Sequence, residues 1–226
     1  MANSIASLRD CAARHLAYYT DPEGPRAFRT YDRLGVPDEL TPLDCLAPAL
    51  LSVGINYRQV VPLFRPTGPG PLVLDAMQAV LDHPDSATDH FLDADLGADD
   101  GPPAGTAWAA VDAAIVASGE AGGEGLHGFK AVAVTKILHR KRPDLVPIFD
   151  SRVHRFYTGE RPPAGPYKQT PRRLWRLLQA DLVANRDWLA ELAATVRTPD
   201  ERPLSLLRAA DIVVWEHETS GDAVFR

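Results

Sequence analysis

The sequence predicts an all-α fold, and three observations carry that prediction. Apolar residues recur at three- and four-residue spacing along most of the chain, alternating strand patterns are scarce, and Thr-Pro pairs at 41–42 and 170–171 mark helix starts. Hydrophobic residues make up 45% of the 226 positions, ample for a buried core. The expected architecture is one domain over 1–226, built from eight to ten short helices and open to division into two lobes sharing a core.

Ser4 can cap a first helix whose apolar positions Ile5, Leu8, Cys11, Leu16 and Tyr19 follow the helical period. Asp21 to Pro25 breaks it, and Phe28 to Asp38 reads as an ordered loop. Thr41 and Pro42 open a helix that Pro48 must kink or split, because proline has no amide donor. Short helices over 57–64 and 71–81 come next. The interval 82–105 is an acidic, Gly/Pro-bounded connector. Between Asp82 and Asp100 it holds seven aspartates and no basic residue, so a solvated segment is expected rather than a metal site.

Thr106 then caps an alanine-rich helix from Ala107. Beyond residue 157, Thr158 to Thr170 is a Gly/Pro-rich loop presenting Arg161, Tyr167 and Lys168. Helices from Thr170, after Asn185, and from Pro203 to about Trp215 complete the chain. Ile212 to Trp215 could form a strand, but the leucine-rich lead-in favours helix.

Charge is unevenly placed. The total is −6, yet Lys130 to Arg176 holds twelve bases against three acids, a local +9. Either this is an anion-binding face on an acidic body, or the cations pair with acids within the fold. No apolar run reaches the roughly 18 residues that a membrane helix needs, and no export signal is recognisable, so a cytoplasmic protein is expected. Cys11 and Cys45 lack metal-ligand spacing and read as reduced, buried thiols. No cofactor and no metal are expected, and the oligomeric state is left open.

The densest functional signal lies in 126–157, where a glycine turn, a helix, a proline-punctuated connector and a helix-capping aspartate follow one another. The basic turn His139 to Arg142 sits where a helix dipole favours cations, which is reason enough for its charge. Asp150 sits at an expected N-cap, where the helix end favours an ionised carboxylate. Lys130 and Lys136 lie about 600° apart around a helix, so at most one should face a site shared with Asp150. Lys136 is the weaker candidate of the two.

The order Gly128, Lys130, apolar helix, Pro143, then Val146-Pro147-Ile148-Phe149-Asp150 with Ser151, Val153 and Arg155 resembles the core of the helix-hairpin-helix base-excision DNA glycosylases. The Arg-Pro-Asp-Leu-x-Pro-Ile-x-Asp-Ser-Arg-Val run from Arg142 also resembles an uncharacterised bacterial family. The first likeness implies a two-lobed, multi-helix DNA-glycosylase-like architecture with a hairpin binding phosphates through its amides. The available glycines are Gly125 and Gly128, with Leu126 between them. It further implies Asp150 as catalytic carboxylate and Lys130 as nucleophile of a bifunctional enzyme. Gly128, Arg140, Lys141, Arg142, Phe149, Ser151, Arg152, Arg155 and Tyr167 become candidates for contacting DNA or a nucleoside-like small molecule. A noncatalytic binding protein of the same fold, or a structural domain with internal ion pairs, are the alternatives.

Overall fold

The computed structural model describes residues 3–33, 35, 37–98, 100–123, 126, 129–162 and 170–220. Among these it contains eleven α-helices and no β-strand, only two isolated bridges. The all-α expectation holds.

The expected caps form. Ser4 Oγ accepts the Ala6 amide at the head of a 3₁₀ turn, Ile5–Leu8, that leads into α1 (Arg9–Thr20). Thr41 and Asp44 exchange hydrogen bonds in a capping box that starts α3 (Pro42–Leu46). Pro48 then ends the α-helical turn, and the chain continues as a 3₁₀ segment, Ala47–Leu51. Asn56 and Gln59 form a second capping box before α4 (Tyr57–Val60). Further on come α5 (Pro69–Asp82), α6 (Ala107–Gly123), α7 (Ala131–Lys141), α8 (Ser151–Thr158), α9 (Thr170–Ala184), α10 (Arg186–Ala194) and α11 (Leu206–Ser220). The residues considered as a strand, Ile212 to Trp215, lie inside α11.

Two segments are more ordered than their sequences suggest. Within the expected loop 28–38, Phe28–Tyr31 forms one helical turn, α2, because Phe28 and Tyr31 are both buried. In the acidic connector, Phe91 is fully buried against Trp108 and Trp175, with ring centroids 5.2 and 6.4 Å away. Its backbone is pinned as well: Phe91 N donates to Asp144 O at 2.9 Å, and Gln179 Nε2 donates to Phe91 O at 2.6 Å. One aromatic side chain thus anchors a run that charge alone would send into solvent.

α7 runs through the centre, with α6, α5, α3 and the 3₁₀ segment 47–51 packed around it. α11 packs on α1, α8 and α10. His139, in the last turn of α7, is buried, and its Nδ1 lies 2.6 Å from Val146 O. Burial, reinforced by the nearby Arg208 charge, pushes its pKa down to about 3 against the opposing effect of the Val146 bond.

The basic segment is largely paired internally. Arg140 Nε donates to Tyr31 O at 2.9 Å and its Nη1 pairs with Asp44, which Lys141 also meets at 2.9 Å. Burial opposes ionisation of Asp44, but hydrogen bonds from Thr41 and Lys141 outweigh it and hold the carboxyl below its usual range. Arg142 is buried and donates to Ser86 Oγ, Pro37 O, Leu81 O and Asp38 Oδ1 at 2.8–3.0 Å. Arg172 pairs with Asp112, and Arg155 with Glu218.

Replacing Arg142 strands several buried acceptors, each costing about 1–3 kcal/mol. Arg142→Ala is therefore expected to lower stability by roughly 3 kcal/mol or more, whereas the exposed Lys130→Ala should stay within about 0.5 kcal/mol; urea unfolding of both variants checks the contrast. His139 supplies an independent expectation. Its folded pKa lies below the ordinary 6.5, so its stabilising contribution is complete above about pH 6.5 and is lost as pH falls toward 3. His139→Gln, which cannot titrate, should flatten the pH dependence of the unfolding midpoint over that window.

Candidate active site

A cleft of about 120 Å³ opens where α1, α7, the start of α8 and α11 converge. Its polar floor is built from two carboxylates and two cations. On one side Asp150 caps α8, its Oδ1 accepting the Arg152 amide at 2.8 Å and its Oδ2 the Lys136 ammonium at 2.8 Å. The same ammonium donates to Leu51 O at 3.1 Å. Ser52, at the rim, holds a left-handed backbone with φ 61°, a conformation costing a non-glycine residue on the order of 1 kcal/mol or more. It closes the 3₁₀ segment whose Leu51 carbonyl meets Lys136.

Opposite lies the buried pair Arg208 and Asp211, one turn apart on α11. Arg208 grips Asp32 through Nε at 2.7 Å and Nη2 at 2.9 Å, donates to Tyr19 Oη at 3.0 Å, and sends Nη1 to Asp211 Oδ2 at 2.5 Å. Its guanidinium also lies 5.2 Å and 5.0 Å from the Tyr19 and Tyr31 ring centres. Burial alone would lower the Arg208 pKa, but Asp32, Tyr19 and Asp211 drive it well above the ordinary value.

Asp211 differs from Asp150. Its Oδ1 is buried and has no hydrogen-bond partner. Burial, with the negative charge of Asp150 adding to it, pushes the Asp211 pKa up to about 6 against the pull of Arg208 and Lys136. The cleft thus holds one carboxylate bonded by an ammonium and a helix N-terminus, and a second whose burial favours the protonated form up to about pH 6. Its walls include Tyr19, Ile148 and Trp215. Arg26 closes one edge, 4.8 Å from the Trp215 ring and bonded through Nε to Glu216 at 2.7 Å.

The structure does not gather the other sequence candidates around Asp150. Lys130 is an exposed N-cap of α7, and it is Lys136 that reaches the carboxylate. The two lysines do face different ways, but the one ranked weaker is the one at the site. Arg140, Lys141 and Arg142 are held by the internal partners given above, away from Asp150. Phe149 is buried 6.0 Å from the Trp175 ring, in the aromatic core rather than along the cleft. Ser151 is exposed at the first turn of α8. Arg152 and Arg155 turn toward the end of α11, at 3.5 Å and 3.2 Å from Glu218 O. Gly128, its hairpin neighbour Gly125, and Tyr167 lie outside the described residues.

Sequence reasoning ranked Lys136 below Lys130 and missed Tyr19, Arg208 and Asp211 as site residues. One signal for the last two was present: Leu204, Leu207, Arg208, Asp211, Ile212 and Trp215 share one helical stripe, so two charges sit on an apolar face. A charged pair on a core stripe marks a buried network.

The chain belongs to a family of unknown function, DUF6308, whose model spans residues 12–218. No curated protein and no solved structure matches it. The glycosylase likeness therefore rests on the residues quoted for it alone. Among the described residues no helix is long and apolar enough to cross a membrane.

The raised Asp211 pKa has a testable sign. Relative to an unfolded value of 3.8, it contributes stability that is complete below pH 4 and is lost as pH rises through about 6. The stability difference between the wild type and Asp211→Asn should shift toward the variant by up to ~3 kcal/mol between pH 4 and pH 7. Parallel denaturation at the two pH values measures it; a difference independent of pH would place Asp211 in an unperturbed setting.

Proposed function

We propose that the cleft hydrolyses the N-glycosidic bond of a nucleoside-like small molecule. The observation that supports this reading is the pairing, across one small cavity, of Asp150 held by Lys136 with Asp211 carrying an unpartnered buried oxygen. N-glycosidic cleavage develops positive charge on the sugar, and the Asp150 carboxylate is suited to stabilise it and to take a proton from the attacking water. Protonated Asp211 is suited to give its proton to the departing base nitrogen. The C–N bond breaks as a C–O bond forms, and the proton accepted at Asp150 returns to Asp211 through solvent. Lys136 and Arg208 keep the two carboxylates in position, while burial and the neighbouring Asp150 favour the protonated form of Asp211.

A small molecule is favoured over DNA because the basic segment that would track phosphates is tied up internally. The cavity, about 120 Å³, is below the roughly 300–1,000 Å³ of drug-sized ligand sites, so it suits a single ring of the substrate. A ring could stack on Tyr19 or Trp215.

The test is release of free base, followed by chromatography, from a panel of purine and pyrimidine nucleosides and from oligonucleotides bearing damaged bases. Release from nucleosides is expected, reduced at least ~100-fold in both Asp150→Asn and Asp211→Asn, with Lys130→Ala within about twofold of wild type. Activity confined to oligonucleotides, falling steeply with salt, would transfer the reaction to DNA. A folded protein that releases no base from either set would overturn the proposal.

A further inference from the structure

The sequence points to no metal site, but the fold brings three metal-ligating side chains together away from the cleft. Cys11 and His15 are four residues apart on α1 and so share a face, and His217 approaches from α11. One ligand atom from each lies within 4.8 Å of the others. The His15 and His217 rings meet edge-on at 6.1 Å, and Phe156 closes against His217 at 6.2 Å. His217 Nδ1 is buried without a hydrogen-bond partner.

We propose that Cys11, His15 and His217 form a zinc site that clamps α1 to α11. A thiolate and two imidazoles suit Zn²⁺, which takes sulfur at about 2.3 Å and nitrogen at about 2.0–2.1 Å in a tetrahedron. Ligand atoms in such a tetrahedron lie roughly 3.3–3.8 Å apart. Closing from the observed spacing needs side-chain adjustments of about 1 Å, within reach of χ rotations. Three protein ligands leave the fourth position to water.

The surroundings fit this assignment. His15 is fully buried, whereas Cys11 and His217 are half-buried, giving an ion a route from solvent. The Cys11 thiol donates to Leu8 O at 3.2 Å; on metal binding that proton leaves, so each Zn²⁺ bound releases one proton from sulfur. With the His217 proton on Nε2, its unpartnered Nδ1 keeps a lone pair for a metal. Cys45 is no competitor, since burial and the adjacent Asp44 push its thiol up to about 12.

Position gives the site a structural consequence. Tyr19 stands one turn beyond His15 on α1, and Trp215 precedes His217 by two residues on α11; both line the cleft. A metal joining these helices fixes the spacing of two cleft walls. The inference does not depend on the glycosidic reading, because its readouts are metal binding and stability.

The experiment is titration of the tag-free, chelator-treated full chain with Zn²⁺, followed by thermal unfolding, and with Co²⁺, followed by absorption. One equivalent of Zn²⁺ is expected to raise the melting temperature. Co²⁺ should produce thiolate-to-metal charge transfer in the near ultraviolet and visible bands of a tetrahedral ion. Cys11→Ser should abolish the charge-transfer band, and His217→Ala should weaken Zn²⁺ binding at least ~100-fold. Cys45→Ser should leave both signals in place. The metal-free melting temperature of Cys11→Ser, compared with that of metal-free wild type, separates ligand loss from misfolding. Absence of the charge-transfer band in wild type, its persistence in Cys11→Ser, or its loss in Cys45→Ser alone would overturn the assignment.

Discussion

The buried guanidinium of Arg208 is the interaction on which the rest of the structure depends. Four of its hydrogen bonds reach three separate parts of the chain: Asp32 after α2, Tyr19 on α1 and Asp211 on α11 itself. A buried cation is tolerable only when its charge and donors are met, and removing one partner of such a pair typically costs 3–5 kcal/mol. The arrangement therefore forces α1, α2 and α11 into a single geometry. It also determines the cleft, because Arg208 neutralises one oxygen of Asp211 while leaving the other buried and unpaired. The same contact that ties the helices together sets the chemistry of a cleft carboxylate.

Charge in this protein is mainly an internal adhesive. Asp44 gathers Arg140 and Lys141 at the end of α7, Arg142 binds the Ser86 hydroxyl of the connector and the Pro37 and Leu81 carbonyls outside it, and Arg26 meets the buried Glu216. These pairs reconcile a local +9 with a chain of net charge −6. They also engage Arg140, Lys141 and Arg142 within the fold. At the cleft the pattern changes: the charge of Asp150 adds to the cost of ionising Asp211, and Lys136 and Arg208 bond one carboxylate each.

Much of the fold was legible in the sequence because it follows from local rules. Thr41 and Pro42 start one helix, Pro48 splits it, and Asp150 caps another, each within three or four residues of its effect. The site was only half legible. Asp150 was visible through its connector and cap, but its lysine was not, since helical rotation separates Lys130 from Lys136 without saying which side meets α8. Asp211, Arg208 and Tyr19 are joined across up to 189 residues, a separation no local pattern encodes. The order of the acidic connector was likewise hidden, because one buried Phe91 outweighs the solvation of its neighbours.

The central claim, that the Arg208 network is a single unit holding the cleft walls, is tested most directly by a double-mutant cycle on Arg208→Met and Asp32→Asn. Contacts within one buried ionic network couple by roughly 0.5–3 kcal/mol, and a bidentate pair belongs at the upper end. Each single variant should be strongly destabilised, and the double variant should recover about 2 kcal/mol or more relative to the sum of the two. Additive losses, with coupling below about 0.5 kcal/mol, would contradict the account.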